Sequence, residues 1–262
     1  MIKIKMDVSN NQNDKKQRNT KIAKYLALFF TCLLFLNFIF ISLYYSLADW
    51  IALLIFSLLF IVPAYLSNAG MVIVGKGKPI DGGKVWKDGR RILGDHKTWN
   101  GLIKGPLYIG IPISLGLFLV FFILWDIIRI IPDAGIPLGI YNLYNDIFFY
   151  QYYFIGGPKP IGFIIIIMRI FLCSYGAGIG DLLGSFLKRR FNIESGEPFW
   201  VIDSLDFAGI AIICASIPSF FIPDLYLAPD IFIIIFLLIL TPSVSIIANT
   251  IAYYIGLKDV PW

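Results

Sequence analysis

The chain has 262 residues, 58% of them hydrophobic and 15% charged, with a formal net charge of +5. A soluble globular domain keeps about a quarter of its residues charged, so this composition excludes an ordinary soluble protein and leaves room for one membrane bundle without a separate soluble domain. The positive balance is no nucleic-acid footprint, because the 22 Lys and Arg fall mainly in segments flanking apolar runs.

In chain order, residues 1–25 are polar and basic and are expected as a cytoplasmic N-terminal segment, with 26–262 as a single transmembrane catalytic domain. Apolar runs near 26–47, 51–67, 106–127, 161–178, 207–223 and 231–252 are long enough to cross about 30 Å of hydrocarbon as helices. The first is too long for a signal-peptide core and lacks a small-residue cleavage site. Only "ADW", Ala48 to Trp50, separates the first two, which form either a tight hairpin or one bent helix.

Charge favours the hairpin. Lys and Arg number seven in 1–25, eight in 67–105, two in 128–160, three in 179–206, none in 224–230 and one after 252, with Arg169 inside a span. Six spans put every strongly basic segment on one side, which the positive-inside rule assigns to the cytoplasm. The expected fold is all-α, a polytopic helical membrane protein with about six transmembrane helices and two functional cytoplasmic loops. The outer stretch near 128–160 is rich in Tyr and Phe between Gly and Pro breaks, a composition suited to lying at the interface.

Cys32, Cys173 and Cys214 lie in apolar runs without metal or disulfide spacing and read as small buried hydrophobes. An unpaired Arg169 within a span is costly, about 2.5–3.5 kcal/mol, so it needs Asp126 or a polar cavity as partner.

Two segments carry the chemistry. The first, about 67–105, interleaves Gly75, Gly77, Gly82, Gly83, Gly89 and Gly94 with eight basic residues. Glycine lets backbone N–H groups approach an anion and Lys and Arg add charge, which suits a polyphosphate; a solvated positive-inside linker is the competing reading. No Walker loop occurs. The second runs from "GAGIGDLLGSFLKRRFN" to "FWVIDSLDFAGI". Asp203 and Asp206, three apart, share a face if helical, and Asp181 stands at the exit of the preceding span, so the three carboxylates can converge on Mg²⁺. Helix capping is the alternative use of those aspartates. Ser185, Lys188, Arg189 and Arg190 follow as an adjacent anion site, while Glu194 and Glu197 read as a solvated turn. Basic and acidic groups together at a membrane surface fit phosphoryl or nucleotidyl transfer.

The stretches "PAYLSNAG", "GKPIDGGKVWKDGRRILGDHKTWNGLIKG", "GDLLGSFLKRRFNIESGEPFWVIDSLDF" and "NTIAYYIGLKDVPW" resemble the archaeal CDP-archaeol synthase family, distant relatives of phosphatidate cytidylyltransferases. The family-like part runs from about 51 to 262, apart from the outer stretch. The resemblance implies Mg²⁺-dependent transfer of CMP from CTP to 2,3-di-O-geranylgeranylglyceryl phosphate, giving CDP-archaeol and pyrophosphate at the cytoplasmic face of the cell membrane. It implies catalytic roles for Asp181, Asp203, Lys97 and Lys188, metal binding by Asp181, Asp203 and Asp206, and substrate contact by Asn68, Arg90, Arg91, Lys97, Thr98, Ser185, Lys188 and Arg189. An ester-lipid cytidylyltransferase, or a non-catalytic scaffold or transporter, is the alternative. The sequence departs from the family in its additional first span, an enlarged outer stretch and His96 where a small residue is expected; a lone loop histidine reads as a solvated neighbour.

Overall fold

The computed structural model describes residues 2–194 and 196–261, with side chains from residue 15 onward. Among them six helices are long and apolar enough to cross a membrane: Lys15–Tyr44, Leu47–Val74, Trp99–Gly135, Ile161–Arg190, Ile202–Phe220 and Ile231–Tyr254. The elements are α1 (Ile2–Tyr44), α2 (Leu47–Val74), α3 (Trp99–Gly105), a π-helical turn (Pro106–Gly110), α4 (Ile111–Ile128), α5 (Ile130–Gly135), α6 (Ile147–Ile155), α7 (Ile161–Arg190), α8 (Ile202–Ser216) and α9 (Ile231–Tyr254).

The first two apolar runs are separate helices. The chain reverses between Tyr44 and Leu47, and Ser46 caps α2 by accepting from the Asp49 N–H at 3.0 Å. Asp49 is fully buried, and its carboxylate also accepts from the backbone N–H groups of Asn142, Leu143 and Tyr144 at 2.9–3.1 Å. One aspartate of "ADW" thus fixes the turn and docks the outer stretch. That stretch does not lie flat at an interface: Tyr144, Tyr150, Tyr152 and Tyr153 are 6% exposed or less and pack around Phe56 and Arg169 in the bundle.

Arg169 is likewise resolved without Asp126, which is exposed. Its guanidinium donates to the Tyr153 carbonyl at 2.9 Å and sits 5.3–5.9 Å from the ring centres of Phe118, Tyr152 and Tyr153. Aromatic faces thus take the place of a counter-ion.

α7 runs along the middle of the bundle against α2 and α8. Pro63 removes a rung from the α2 hydrogen-bond ladder; the nearby carbonyls of Phe60 and Pro63 accept from Cys173 Sγ at 3.4 Å and Ser174 Oγ at 3.5 Å of α7. Along α7, Gly176, Gly180 and Gly184 recur every four residues, and a Cβ at any of them would run into α8. The stripe lets the two helices approach closely at the end where their aspartates lie. A second close crossing lies where α3 and the π turn pass α2: a Cβ on Gly105 would lie 2.6 Å from Met71 N, and one on Gly110 1.9 Å from Ser67 Oγ.

Candidate active site

The first charged segment is shorter than the sequence suggests, because helix resumes at Trp99. Thr98 caps α3, accepting from Gly101 N–H at 3.0 Å while donating to the Gly75 carbonyl at 2.7 Å. One buried hydroxyl therefore fastens the end of α2 to the start of α3.

Between those helices the loop 75–98 doubles back on itself, with Ile80 N–H donating to Lys97 O at 2.8 Å, Ile92 N–H to Lys84 O at 3.1 Å and Trp86 N–H to Arg90 O at 2.7 Å. Asp81 holds it. Its side chain has no exposure, and its carboxylate takes Arg91 Nη2 at 2.7 Å and the N–H groups of Gly83, Leu93 and Gly94 at 3.1 Å each. Burial alone would raise this carboxyl; the Arg91 guanidinium and the three N–H groups outweigh it and hold it well below the usual carboxylate range. Gly82, Gly83, Gly89 and Gly94 all have positive φ, so these glycines serve the turns of the loop. Of the six singled out in the sequence, only Gly75 and Gly77 line the cavity described below.

The second segment is mostly helix. α7 continues to Arg190, so Asp181, Ser185 and Lys188 lie on successive turns of a helix, and only about 191–201 is loop. The arginines lock the two segments together. Arg90 Nη1 donates to the carbonyls of Arg189 at 3.4 Å and Arg190 at 3.1 Å, capping the C-terminus of α7. Arg189 donates to the carbonyls of Leu93 and Ile193, and Arg190 to Asp88 and the Arg91 carbonyl at 2.6 Å each.

The brace opens onto a cavity of about 580 Å³ lined by Asn68, Met71, Lys76, His96, Lys97, Thr98 and Asp181 among others. On its wall Lys97 Nζ lies 2.7 Å from both carboxylate oxygens of Asp181, each side chain 24% exposed. A parallel pair joins Lys188 to Asp203 at 2.9 Å, and Asp203 also accepts from Phe199 N–H at 2.9 Å. Asp206 packs into the notch left by Gly184, where a Cβ would lie 1.8 Å from its Oδ2, and the charges of Asp181, Asp203 and Lys97 act on it.

Capping does not account for Asp181, whereas Asp203 lies in the first turn of α8 and accepts from Phe199 N–H just before it. Asp181 is interior to α7, and α8 begins without a side-chain cap. Among the described residues no three acidic, His or Cys side chains converge as a metal nest, and ammonium groups hold Asp181 and Asp203. The donor chemistry nevertheless fits a hard divalent cation, since carboxylates from facing turns of α7 and α8 share one end of the bundle.

The structure therefore brings Asn68, Lys97, Thr98 and Asp181 to one cavity, with Lys188, Asp203 and Asp206 beside it on α7 and α8. It turns Arg90, Arg91 and Arg189 toward carbonyls and carboxylates of the protein, and Ser185 is buried at 7% exposure. His96 lines the cavity although exposed. Glu197 is no free turn residue: the Lys15 ammonium hydrogen-bonds it and holds its carboxyl below the usual range. Sequence reasoning missed Lys76 and Asp81. The first stood among five other loop lysines and arginines before Lys97; the second was marked only by "DGG", an Asx-turn signature.

Fold and site together define a class, a polytopic helical membrane enzyme with the ionisable groups of its site gathered at one end of the bundle. The CarS-like model, CDP-archaeol synthase, matches residues 50–127 and 150–262. The CDP-archaeol synthase of Thermococcus kodakarensis is 37% identical over 214 residues, 81% of this chain and 99% of the relative. Those of Thermococcus onnurineus and Pyrococcus horikoshii are 38% and 36% identical, over 80% and 78% of this chain and 97% and 94% of theirs. A solved structure described as an intramembrane enzyme for archaeal membrane lipids biosynthesis is 24% identical, covering 76% of this chain and 92% of its own with a TM-score of 0.43. The chain belongs to the CDP-archaeol synthase family, nucleotidyltransferases of archaeal lipid biosynthesis.

Proposed function

We propose that the chain transfers CMP from CTP to 2,3-di-O-geranylgeranylglyceryl phosphate, releasing pyrophosphate, at the cytoplasmic face of the cell membrane. The observation that carries this reading is the Lys97–Asp181 pair at the wall of the cavity, which joins the first charged loop to α7. Family membership supplies the reaction class, and the cluster of seven basic residues before 25 and eight in 67–105 supports the orientation.

A phosphate oxygen of the lipid attacks the α-phosphorus as the bond from that phosphorus to the bridging oxygen of the β-phosphate breaks. The lipid phosphate is already ionised near neutral pH, so no protein base is required. Lys76 and Lys97, which line the cavity, hold the triphosphate in this reading and steady the charge that develops on it. Asp181, Asp203 and Asp206 would hold Mg²⁺, with Lys97 orienting Asp181 and Lys188 orienting Asp203. Bound there, the metal supplies charge neutralisation at the phosphates. Thr98 acts by position, fixing the α2–α3 junction from which Asn68 and Lys97 face the cavity.

The test gives the purified chain CTP and Mg²⁺ with either the unsaturated ether-lipid phosphate or a diacyl phosphatidate. The reading expects CDP-lipid chiefly from the ether lipid and none after chelation. Equal turnover of the diacyl lipid removes the substrate assignment, and undiminished turnover in chelator removes the metal.

A further inference from the structure

α1 lies outside the residues that match the family, and it carries a second basic constellation away from the site described above. It packs along α9, burying Asn19, Ala23 and Phe30 at 8%, 0% and 5% exposure. Next to that seam a groove of about 490 Å³ is lined by Lys16, Gln17, Thr20, Lys21 and Lys24 of α1 and by Tyr253 and Tyr254 of α9. Three ammonium groups occupy this groove, and among the described residues none has an acidic partner. Lys24 Nζ stands 5.4 Å above the Tyr254 ring, which directs it across the groove. The Thr20 hydroxyl donates to the Lys16 carbonyl at 2.9 Å, leaving its oxygen lone pairs and the lysines as the polar lining.

Immediately deeper the surface changes character. Tyr25, Leu28 and Phe29 on α1 and Ile251 on α9 are 54–73% exposed, and Lys24 is the last charge before the apolar run of α1. The groove thus has a cationic, aromatic-walled mouth at the membrane boundary and an apolar wall below it. That polarity matches an amphiphile with an anionic head, and it does not match a free nucleotide, which would leave the apolar wall uncovered.

We infer that the α1–α9 groove is a binding site for the phosphate head group of an anionic membrane lipid, whose chains lie along Leu28, Phe29 and Ile251. The site is independent of the proposed reaction: Lys16, Lys21 and Lys24 take no part in the cavity around Lys97.

The full chain is reconstituted in nanodiscs of phosphatidylcholine with or without phosphatidylglycerol, and retained lipid is counted by native mass spectrometry. A Lys16→Gln/Lys21→Gln/Lys24→Gln variant is compared with Lys84→Gln/Lys87→Gln, which removes charge from the loop instead, and thermal melting checks that both fold. Wild type and the loop variant should retain phosphatidylglycerol in preference to phosphatidylcholine, and the groove variant should bind it about tenfold or more weakly. Inorganic phosphate should not displace it. Equal retention by the groove variant, or no preference over phosphatidylcholine, overturns the site, and displacement by inorganic phosphate overturns the lipid assignment.

Discussion

Replacing Asp81 by Asn asks whether one buried carboxylate organises the loop that carries Lys97. The substitution keeps shape and one acceptor oxygen but removes the charge that faces Arg91 Nη2 at 2.7 Å and the three N–H groups at 3.1 Å. Removing one member of a buried pair costs about 3–5 kcal/mol. The Arg91 side chain is 28% exposed and regains water, so the expected loss is about 2–4 kcal/mol, or about thirtyfold to a thousandfold in local opening. Hydrogen exchange at the amides of Leu93 and Gly94 reads this directly, because both donate to the lost oxygen. The sign with pH follows from the depressed carboxyl: its stabilisation is complete above the ordinary value of 3.8 and is lost as pH falls through the lower value of the folded state. Wild-type protection should therefore hold down to about pH 4 and decline in stronger acid, while the Asn variant lacks that acid-dependent component. Protection of Leu93 and Gly94 within about threefold of wild type at neutral pH would refute the reasoning, since that corresponds to well under 1 kcal/mol.

Asp181→Asn and Lys97→Met should each lower CDP-lipid formation by about a hundredfold or more while the protein melts as a folded bundle; turnover near wild type in either would remove that side chain from the site. Gly184→Ala drives a Cβ to 1.8 Å from Asp206 Oδ2, so it should destabilise by about 1–3 kcal/mol in a thermal melt, whereas Gly209→Ala on the same pair of helices, with nothing within 4 Å of its Cβ, should be neutral or stabilising. At Arg169, Met should be tolerated better than Lys, because a compact ammonium cannot stack on Phe118, Tyr152 and Tyr153 together. A more stable Lys variant in the same melt would show that charge, not ring contact, holds the position.

Six spans were legible because length, hydropathy and the Lys and Arg distribution are one-dimensional properties of the chain. The hairpin at Ser46 followed from charge counting, although the reason it forms, a buried Asp49 docked on Asn142 to Tyr144, depends on contacts across about a hundred residues. Helix ends were harder. α7 keeps its helix through the polar "DLLGSFLKRR" because α8, the first loop and the Arg90 cap cover that turn, and a hydropathy reading stops where the apolar run stops. The site shows the same division. Residue types foretold an anion-and-carboxylate chemistry, and the structure brings Lys97 onto Asp181 across 84 positions. Composition could not tell a phosphate-binding arginine from a bracing one. Arg90, Arg91 and Arg189 are distinguished from Lys97 only by which carbonyls and carboxylates the fold sets in front of them.

The central claim is nucleotidyl transfer at the cavity shared by the two charged segments, and the position of a label tests it most directly. With the purified chain, Mg²⁺ and the unsaturated ether-lipid phosphate, CTP labelled at the α-phosphorus should pass its label to the lipid, and CTP labelled at the γ-phosphorus should yield labelled pyrophosphate and unlabelled lipid. Label from the γ-position in the lipid, or no α-label in it from a folded protein, would contradict the account.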